Sequence, residues 1–114
     1  MNEQCLFCKI VKGEIPSEKL WEDEDLIAIK DIRPVAPLHA LILPREHIAT
    51  LGETKDQHQS LLGKMLLTAA EIARKNGIAE GGYRTIINCG KNGGQIVFHL
   101  HLHLIGGRQL MSMG

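Results

Sequence analysis

The chain has 114 residues, 44% of them hydrophobic and 23% charged, and its 13 lysines and arginines balance 13 aspartates and glutamates. This length predicts one domain, residues 1–114, with its own hydrophobic core. Zero net charge argues against a nucleic-acid-binding protein, because such proteins place many cations opposite the phosphates. Neither a membrane span of about 18 apolar residues nor a signal peptide is evident, so we expect a cytoplasmic protein.

The first half of the chain alternates short apolar runs with turns. Residues 7–11 predict a short helix, which Gly13 and Pro16 bring to an end. Two β-branched runs, residues 26–29 and 38–43, have the length and composition of strands.

One long helix is predicted between Thr54 and Asn76, with Thr54 and Gln57 as a capping box and Gly77 as the stop signal. Apolar residues at helical spacing mark its buried face: Leu61, Leu62, Met65, Leu66, Ala69, Ile72 and Ala73. His58 lies near its start and is expected at the surface.

Two further strands, residues 83–89 and 96–105, flank a glycine-rich loop at 90–94. The order strand, strand, helix, strand, strand with short connections predicts an α+β fold with a mainly antiparallel sheet.

Three of the six histidines lie within five residues, at His99, His101 and His103. On a strand they share one face, and the alternating residues Phe98, Leu100, Leu102 and Leu104 form a core face. An imidazole is a nucleophile, a general acid or base, or a metal ligand near neutral pH. The glycine-rich loop just before them can bring backbone N–H groups close to an anion. Together these features indicate a phosphate or oxyanion site.

Cys5 and Cys8 form a C-x-x-C motif, which is compatible with zinc, with redox chemistry or with two reduced thiols. Cys89 is assigned no role.

The segment 93–103, which ends in three histidines alternating with leucines, resembles the signature of the histidine-triad nucleotide-binding hydrolases. The likeness to the Hint branch of that family extends over nearly the whole chain. It includes residues 7–10, 14–16, 31–34, 36–39, 44–48, 82–84 and 106–109. The resemblance implies a five-stranded, mainly antiparallel sheet with one long helix and a short N-terminal helix, assembled as a homodimer.

The resemblance also implies hydrolysis of purine nucleoside 5′-phosphoramidates. His101 would attack phosphorus and become transiently nucleotidylated, with His103 and His39 around the phosphate. Asn88, Gly94, Gln95 and the backbone of Ile96 and Val97 would orient the phosphate, and Asp31 would hold the ribose hydroxyls. The walls around the base would be Leu6, Phe7, Ile10, Ile29 and Ile32.

A zinc-binding subset of the family is similar at four positions, which implies a structural Zn²⁺ held by Cys5, Cys8, His47 and His99. One position departs from the pattern. Many Hint proteins have a serine where this chain has Ile96, whose side chain cannot donate a hydrogen bond to a leaving group.

Two other functions are compatible with the same motifs. One is a dinucleoside polyphosphate hydrolase or nucleotidylyltransferase, against which the Hint-like tail at residues 106–110 argues. The other is a nucleotide-binding module without catalysis, which would not need all three triad histidines together with Asn88.

Overall fold

Five strands form one antiparallel sheet in a computed structural model that describes residues 4–113. The strands are β1 (Lys19–Glu22), β2 (Leu26–Lys30), β3 (Leu38–Pro44), β4 (Tyr83–Ile86) and β5 (Leu102–Gly106), in the order β1-β2-β3-β5-β4. The helices are α1 (Leu6–Val11) and α2 (Gln59–Lys75), and two 3-10 turns, Leu51–Glu53 and Asp56–His58, precede α2. The predicted fold class is therefore confirmed.

The central strand β3 is buried along its whole length because a helix covers each face of the sheet. Its even-numbered residues, such as Ala40 and Ile42, pack with Met65 and Ile72 of α2. Its odd-numbered apolar residues pack on the opposite face with α1: Leu41, Leu43, Phe7, Cys8 and Ile10 belong to one cluster. Because side chains alternate along β3, even-numbered residues pack in a core on the α2 side of the sheet and odd-numbered residues pack on the α1 side.

The regular pairing of β5 begins only at Leu102, so the predicted strand at 96–105 is wrong in its first half. Its partner β3 ends at Pro44, which has no N–H to continue the ladder. The N–H of Leu100 donates instead to the carbonyl of Ile48, at 2.7 Å. Phe98 is 48% exposed, which corrects its predicted place in the core, whereas Leu100, Leu102 and Leu104 are buried as expected.

The long helix begins later than predicted. Thr54 does not cap it, since its hydroxyl donates to the carbonyl of Leu51. His58 is buried rather than at the surface, and its Nδ1 accepts the N–H of Lys55 at 2.9 Å. Leu66 is 51% exposed, so it does not belong to the buried face.

Two strand boundaries also differ from the prediction. The strand predicted at 83–89 ends at Ile86, and β1 was not predicted at all. β1 is a four-residue edge strand in which charged Lys19 and Glu22 flank two partly buried residues, so it carries little apolar signal. Within residues 4–113, no helix has the length and apolarity that crossing a membrane requires.

Candidate active site and metal centre

A cavity of about 480 Å³ opens on the α1 side of the sheet. Its walls are mostly apolar, and a few polar groups converge on it, which is the usual composition of a small-molecule site. The lining residues are Leu6, Phe7, Ile10, Ile29, Asp31, Ile32, Arg33, Leu41, Asn88, Gly94, Ile96, Val97, His101 and His103.

The lining residues include every residue predicted around a nucleotide except Gln95 and His39. Gln95 is buried beside the loop, where its amide donates to the carbonyls of Ala49 and Val97 and its Oε1 accepts the N–H of Gly90. These bonds support a role in holding the loop. Contact of Gln95 with a ligand stays a prediction.

Arg33 and Leu41 line the cavity although neither was predicted. The positions of both residues in the sequence could have indicated this. Leu41 is two residues from His39 on the same strand face, and Arg33 lies two residues after Asp31, to whose Oδ1 its N–H donates at 2.8 Å.

His101 is held in one tautomer by the backbone. Its Nδ1 lies 2.7 Å from the carbonyl oxygen of His99, and because a carbonyl only accepts, Nδ1 carries the proton. Nε2 therefore keeps its lone pair. Phe7 packs edge-on against the ring, with 4.9 Å between the centroids. Burial lowers the pKa of His101, an effect that the His99 carbonyl opposes, so the ring is neutral at pH 7.

His103 and His39 form a second pair beside His101. Nε2 of His39 lies 2.9 Å from Nδ1 of His103 and 3.4 Å from Oδ2 of Asp31. Burial, together with the neighbouring rings of His101 and His39, lowers the pKa of His103 to about 4. His39 itself does not line the cavity, and it is only 7% exposed behind His103.

The glycine-rich loop at 90–94 is held in a tight conformation by one side-chain hydrogen bond and two glycines. The side-chain amide of Asn88 donates to the carbonyl of Gly93 at 2.7 Å. A Cβ at Gly93 would lie 2.5 Å from the carbonyl oxygen of Cys89, and Gly94 has a φ of +80°. Glycine is therefore required at both positions for the loop to turn this tightly.

The two cysteines and two histidines predicted to hold a metal converge beside the cavity. Nδ1 of His99 lies 3.4 Å from Sγ of Cys5 and 3.5 Å from Sγ of Cys8, and Nδ1 of His47 lies 3.2 Å from Sγ of Cys8. Nitrogen and sulfur ligands of a tetrahedral zinc ion are about 3.5 Å apart. The spacing therefore fits one Zn²⁺.

The tautomer of His99 also fits a metal. Its Nε2 donates to the carbonyl of Pro44 at 2.8 Å, so the lone pair is on Nδ1, the atom that faces both cysteines. Metal-bound histidines usually hold their second ring nitrogen in this way. Burial lowers the pKa of His99 to about 4, which keeps the ring free of a competing proton.

Comparison with known proteins places this geometry in a family. Residues 4–114 match the family profile described as "Scavenger mRNA decapping enzyme C-term binding". A crystal structure of a HIT family hydrolase from Legionella pneumophila is similar to 95% of this chain and 96% of its own, with 48% identity and a TM-score of 0.93. The chain belongs to the histidine-triad family. The predicted resemblance is thereby confirmed, as is the enzyme class, a hydrolase.

Two further histidine-triad proteins bear on the substrate and the metal. The purine nucleoside phosphoramidase of Escherichia coli K12 is 46% identical over 113 residues, which are 99% of this chain and 95% of that protein. A structure of a Zn-bound histidine-triad protein from Mycobacterium smegmatis is 34% identical, with a TM-score of 0.80, over 92% of this chain and 76% of that one.

Proposed function

We propose that this histidine-triad protein hydrolyses the P–N bond of purine nucleoside 5′-phosphoramidates through a covalent intermediate on His101. One observation carries the proposal. His101 lines the cavity as a neutral imidazole whose protonated Nδ1 is bound to the backbone, so its nucleophilic nitrogen is the one left available. The 46% identity to the E. coli purine nucleoside phosphoramidase supports this choice of substrate.

The order of strands supports one orientation of the nucleotide. Across the sheet, β1 is followed by β2 with Ile29, then β3, then β5 with His103, and last β4, after which the chain carries Asn88. Neighbouring strands are about 4.8 Å apart, so β2 lies roughly 10 Å from β5. The base and ribose therefore fit between α1 and β2, where Asp31 lies, when the phosphorus is at His101.

The reaction has two steps. Nε2 of His101 bonds to phosphorus while the P–N bond breaks, and the amine leaves with one proton taken from solvent. Water then attacks phosphorus, the bond to His101 breaks, the nucleoside monophosphate leaves and one proton returns to solvent. His103 and the backbone N–H groups of Ile96 and Val97 stabilise charge on the non-bridging oxygens as donors.

We also propose that Cys5, Cys8, His47 and His99 hold a structural Zn²⁺. Four nitrogen and sulfur ligands fill a tetrahedral site and leave no position for a substrate, so the ion would supply rigidity rather than chemistry. It would join α1, which carries Cys8 and forms part of the cavity wall, to the residues just after β3 and just before His101.

A homodimer through α2 and β4 is proposed as well. Leu66 and Leu67 of α2 are 51% and 73% exposed, and β4 is an edge strand of the sheet in residues 4–113. Burial of such a face against a second copy removes apolar area and a free strand edge from water. Light scattering should give twice the chain mass for the wild type and the monomer mass for Leu67→Asp.

The test of the activity uses adenosine 5′-phosphoramidate with the wild type, His101→Ala and, as a matched histidine control, His58→Ala. We expect hydrolysis by the wild type and the control, loss of several orders of magnitude in His101→Ala, and a nucleotidyl adduct in acid-quenched wild type by intact mass. Faster turnover of diadenosine polyphosphates would favour the dinucleotide hydrolase. AMP binding without turnover of either substrate would favour the binding module.

A further inference from the structure

His39 is one shell removed from the cavity, yet it touches the histidine beside the nucleophile. It lies on β3, pairs across the ladder with Ile105 and is buried behind His103. A side chain in this place does not line the cavity. His39 therefore acts on a bound ligand through a neighbour that does, either His103, whose Nδ1 is 2.9 Å away, or Asp31, whose Oδ2 is 3.4 Å away.

The backbone of Val35 determines which nitrogen of His39 carries a proton. The N–H of Val35 donates to Nδ1 of His39 at 3.2 Å. A nitrogen that accepts a hydrogen bond carries no proton of its own, so the single proton of the neutral ring is on Nε2. Burial lowers the pKa of His39, with Asp31 opposing, which is consistent with a neutral ring.

The proton on Nε2 has two acceptors within reach. Nδ1 of His103 is 2.9 Å away, and Oδ2 of Asp31 is 3.4 Å away. Asp31 is itself held, because its Oδ1 accepts the N–H of Arg33. The shorter contact makes Nδ1 of His103 the main acceptor, and the proton of a neutral His103 must then be on Nε2.

We infer that His39 is a positioning residue that fixes His103 as its Nε2–H tautomer, so that His103 points a donor toward the cavity. The inference rests on the proposed function only where that donor is assigned to a phosphoryl oxygen. His39 does not carry protons in this arrangement. Loss of its single proton would leave an imidazolate, and a second proton would have to displace the N–H of Val35 from Nδ1.

Two clusters have the composition of metal sites, and their histidine tautomers differ. Asp31, His39 and His103 lie close enough together to hold an ion. A neutral His39 that bound a metal through Nε2 would carry its proton on Nδ1, where the Val35 N–H already points. At His99 the arrangement is reversed, since Nε2 donates and Nδ1 is unprotonated. The first cluster is therefore a hydrogen-bond network.

The test compares His39→Gln, whose amide keeps a donor that does not titrate, with His39→Leu, which has none. Long-range ¹H–¹⁵N NMR of the ligand-free holoprotein reads the ring nitrogens of His103, assigned by comparison with His103→Asn. We expect protonated Nε2 in the wild type and in His39→Gln, and a mixture of tautomers in His39→Leu. A wild-type His103 protonated on Nδ1 would overturn the inference, whatever the activity.

Kinetics provide a second measurement. With adenosine 5′-phosphoramidate we expect kcat of His39→Gln within about tenfold of the wild type with the same pH profile, and a fall of roughly 10²-fold or more in His39→Leu, as for loss of one oxyanion donor. Equal loss in the two variants would instead indicate a proton carrier. If the wild type itself does not hydrolyse the substrate, the proposed function fails, and the NMR result still decides the role of His39.

Discussion

The carbonyl oxygen of His99 accepts a 2.7 Å hydrogen bond from Nδ1 of His101. One peptide group therefore connects the proposed metal ligand to the proposed nucleophile. The ring of His99 is held on both edges, by the carbonyl of Pro44 at 2.8 Å and by the nearby thiols of Cys5 and Cys8. A change in the metal cluster should therefore reach the orientation of His101.

Replacement of Cys8 by serine tests this connection. We expect Cys8→Ser to lose bound zinc, to be about 2 kcal/mol or more less stable because ligand binding no longer favours the folded state, and to melt about 8 °C lower or more. The kcat for adenosine 5′-phosphoramidate should fall more than KM rises, since the reacting nitrogen is misplaced while the cavity walls remain. Elemental analysis, thermal unfolding and steady-state kinetics measure the three effects.

The control for Cys8 is Cys89→Ser, which removes the exposed thiol outside the cluster. It should match the wild type in zinc content and melting temperature. If the wild type, purified with zinc and without chelators, held no metal, the zinc proposal would be wrong.

Ile96 is 90% exposed at the mouth of the cavity, so its side chain can change without disturbing the core. We expect Ile96→Ser to raise turnover of phosphoramidates by about 2- to 10-fold, the value of one hydrogen bond to the leaving nitrogen. Melting temperature should not change. Unaltered turnover across a series of amine leaving groups would show that the hydroxyl has no role here.

Ile32 provides a matched control because it is also 90% exposed and lines the same cavity, next to Asp31. Ile32→Ser should change KM, because Ile32 is proposed to contact the nucleoside. The relative rates for different amine leaving groups should stay the same. The comparison separates the two ends of the proposed nucleotide site.

Leu100 and Phe98, two residues apart on the predicted core face, test where that core face ends before β5. Leu100 is 1% exposed and packs in the core on the α2 side, whereas Phe98 is 48% exposed. Leu100→Ala should cost about 2–5 kcal/mol of unfolding free energy by leaving a cavity. Phe98→Ala should cost less than about 1 kcal/mol. Urea denaturation of both variants measures the difference, and equal losses would contradict this assignment.

Alternation was predictable from the sequence even where strand pairing was not. Of the three triad histidines only His103 is in the ladder; His101 still packs beside it, with 5.0 Å between the ring centroids, although the chain bends at residues 97–99. The break depends on Pro44 in another strand and on the carbonyl of Ile48, which spacing within the segment does not reveal. Local periodicity thus predicted the side-chain directions from Leu100 onward but not that of Phe98, and tertiary contacts determined the length of the strand.

The metal cluster is a second feature that the pattern within one segment could not predict. Cys5 and His99 are 94 residues apart, and only the family resemblance related them. The wrong predictions for His58 and for the start of α2 have local causes. His58 turns inward, where its ring accepts the N–H of Lys55, and the residues that resemble a helix start form the 3-10 turns before α2. A turn that satisfies its own backbone groups competes with the first turn of a helix.

Asp23, in the turn between β1 and β2, accepts hydrogen bonds within that turn and pairs with Lys64 of α2. Burial alone would raise its pKa, but the Trp21 indole, the N–H groups of Asp25 and Leu26, and Lys64 hold the pKa of Asp23 well below its usual range. Because the pKa of Asp23 is lower in the folded protein than in the unfolded chain, its carboxylate stabilises the fold at pH values above the unfolded pKa of about 4. This stabilisation is lost as the pH falls through the pKa of the folded protein. Asp23→Asn should therefore cost about 1–2 kcal/mol at pH 7.

The pH dependence is the sharper part of this prediction. The stability difference between the wild type and Asp23→Asn should shrink as pH is lowered from 5 towards about 2. Asp25→Asn is the control, because Asp25 pairs with the same Lys64 at 2.8 Å but is half exposed, and such surface pairs contribute little. A loss that does not vary with pH would mean that the Asp23 charge is not responsible.

Gly93 offers a test of the glycine-rich loop at 90–94 that removes no side chain. A Cβ there would meet the carbonyl oxygen of Cys89 at 2.5 Å and its nitrogen at 3.0 Å, so Gly93→Ala must shift the backbone that precedes Ile96 and Val97. Because those N–H groups are proposed donors to the phosphate, kcat/KM should fall at least about tenfold, and the shifted backbone should also lower the melting temperature. Gly81→Ala is the control, since a Cβ at Gly81 meets nothing within 4 Å. Normal activity in Gly93→Ala would show that the loop backbone does not bind the reacting phosphate.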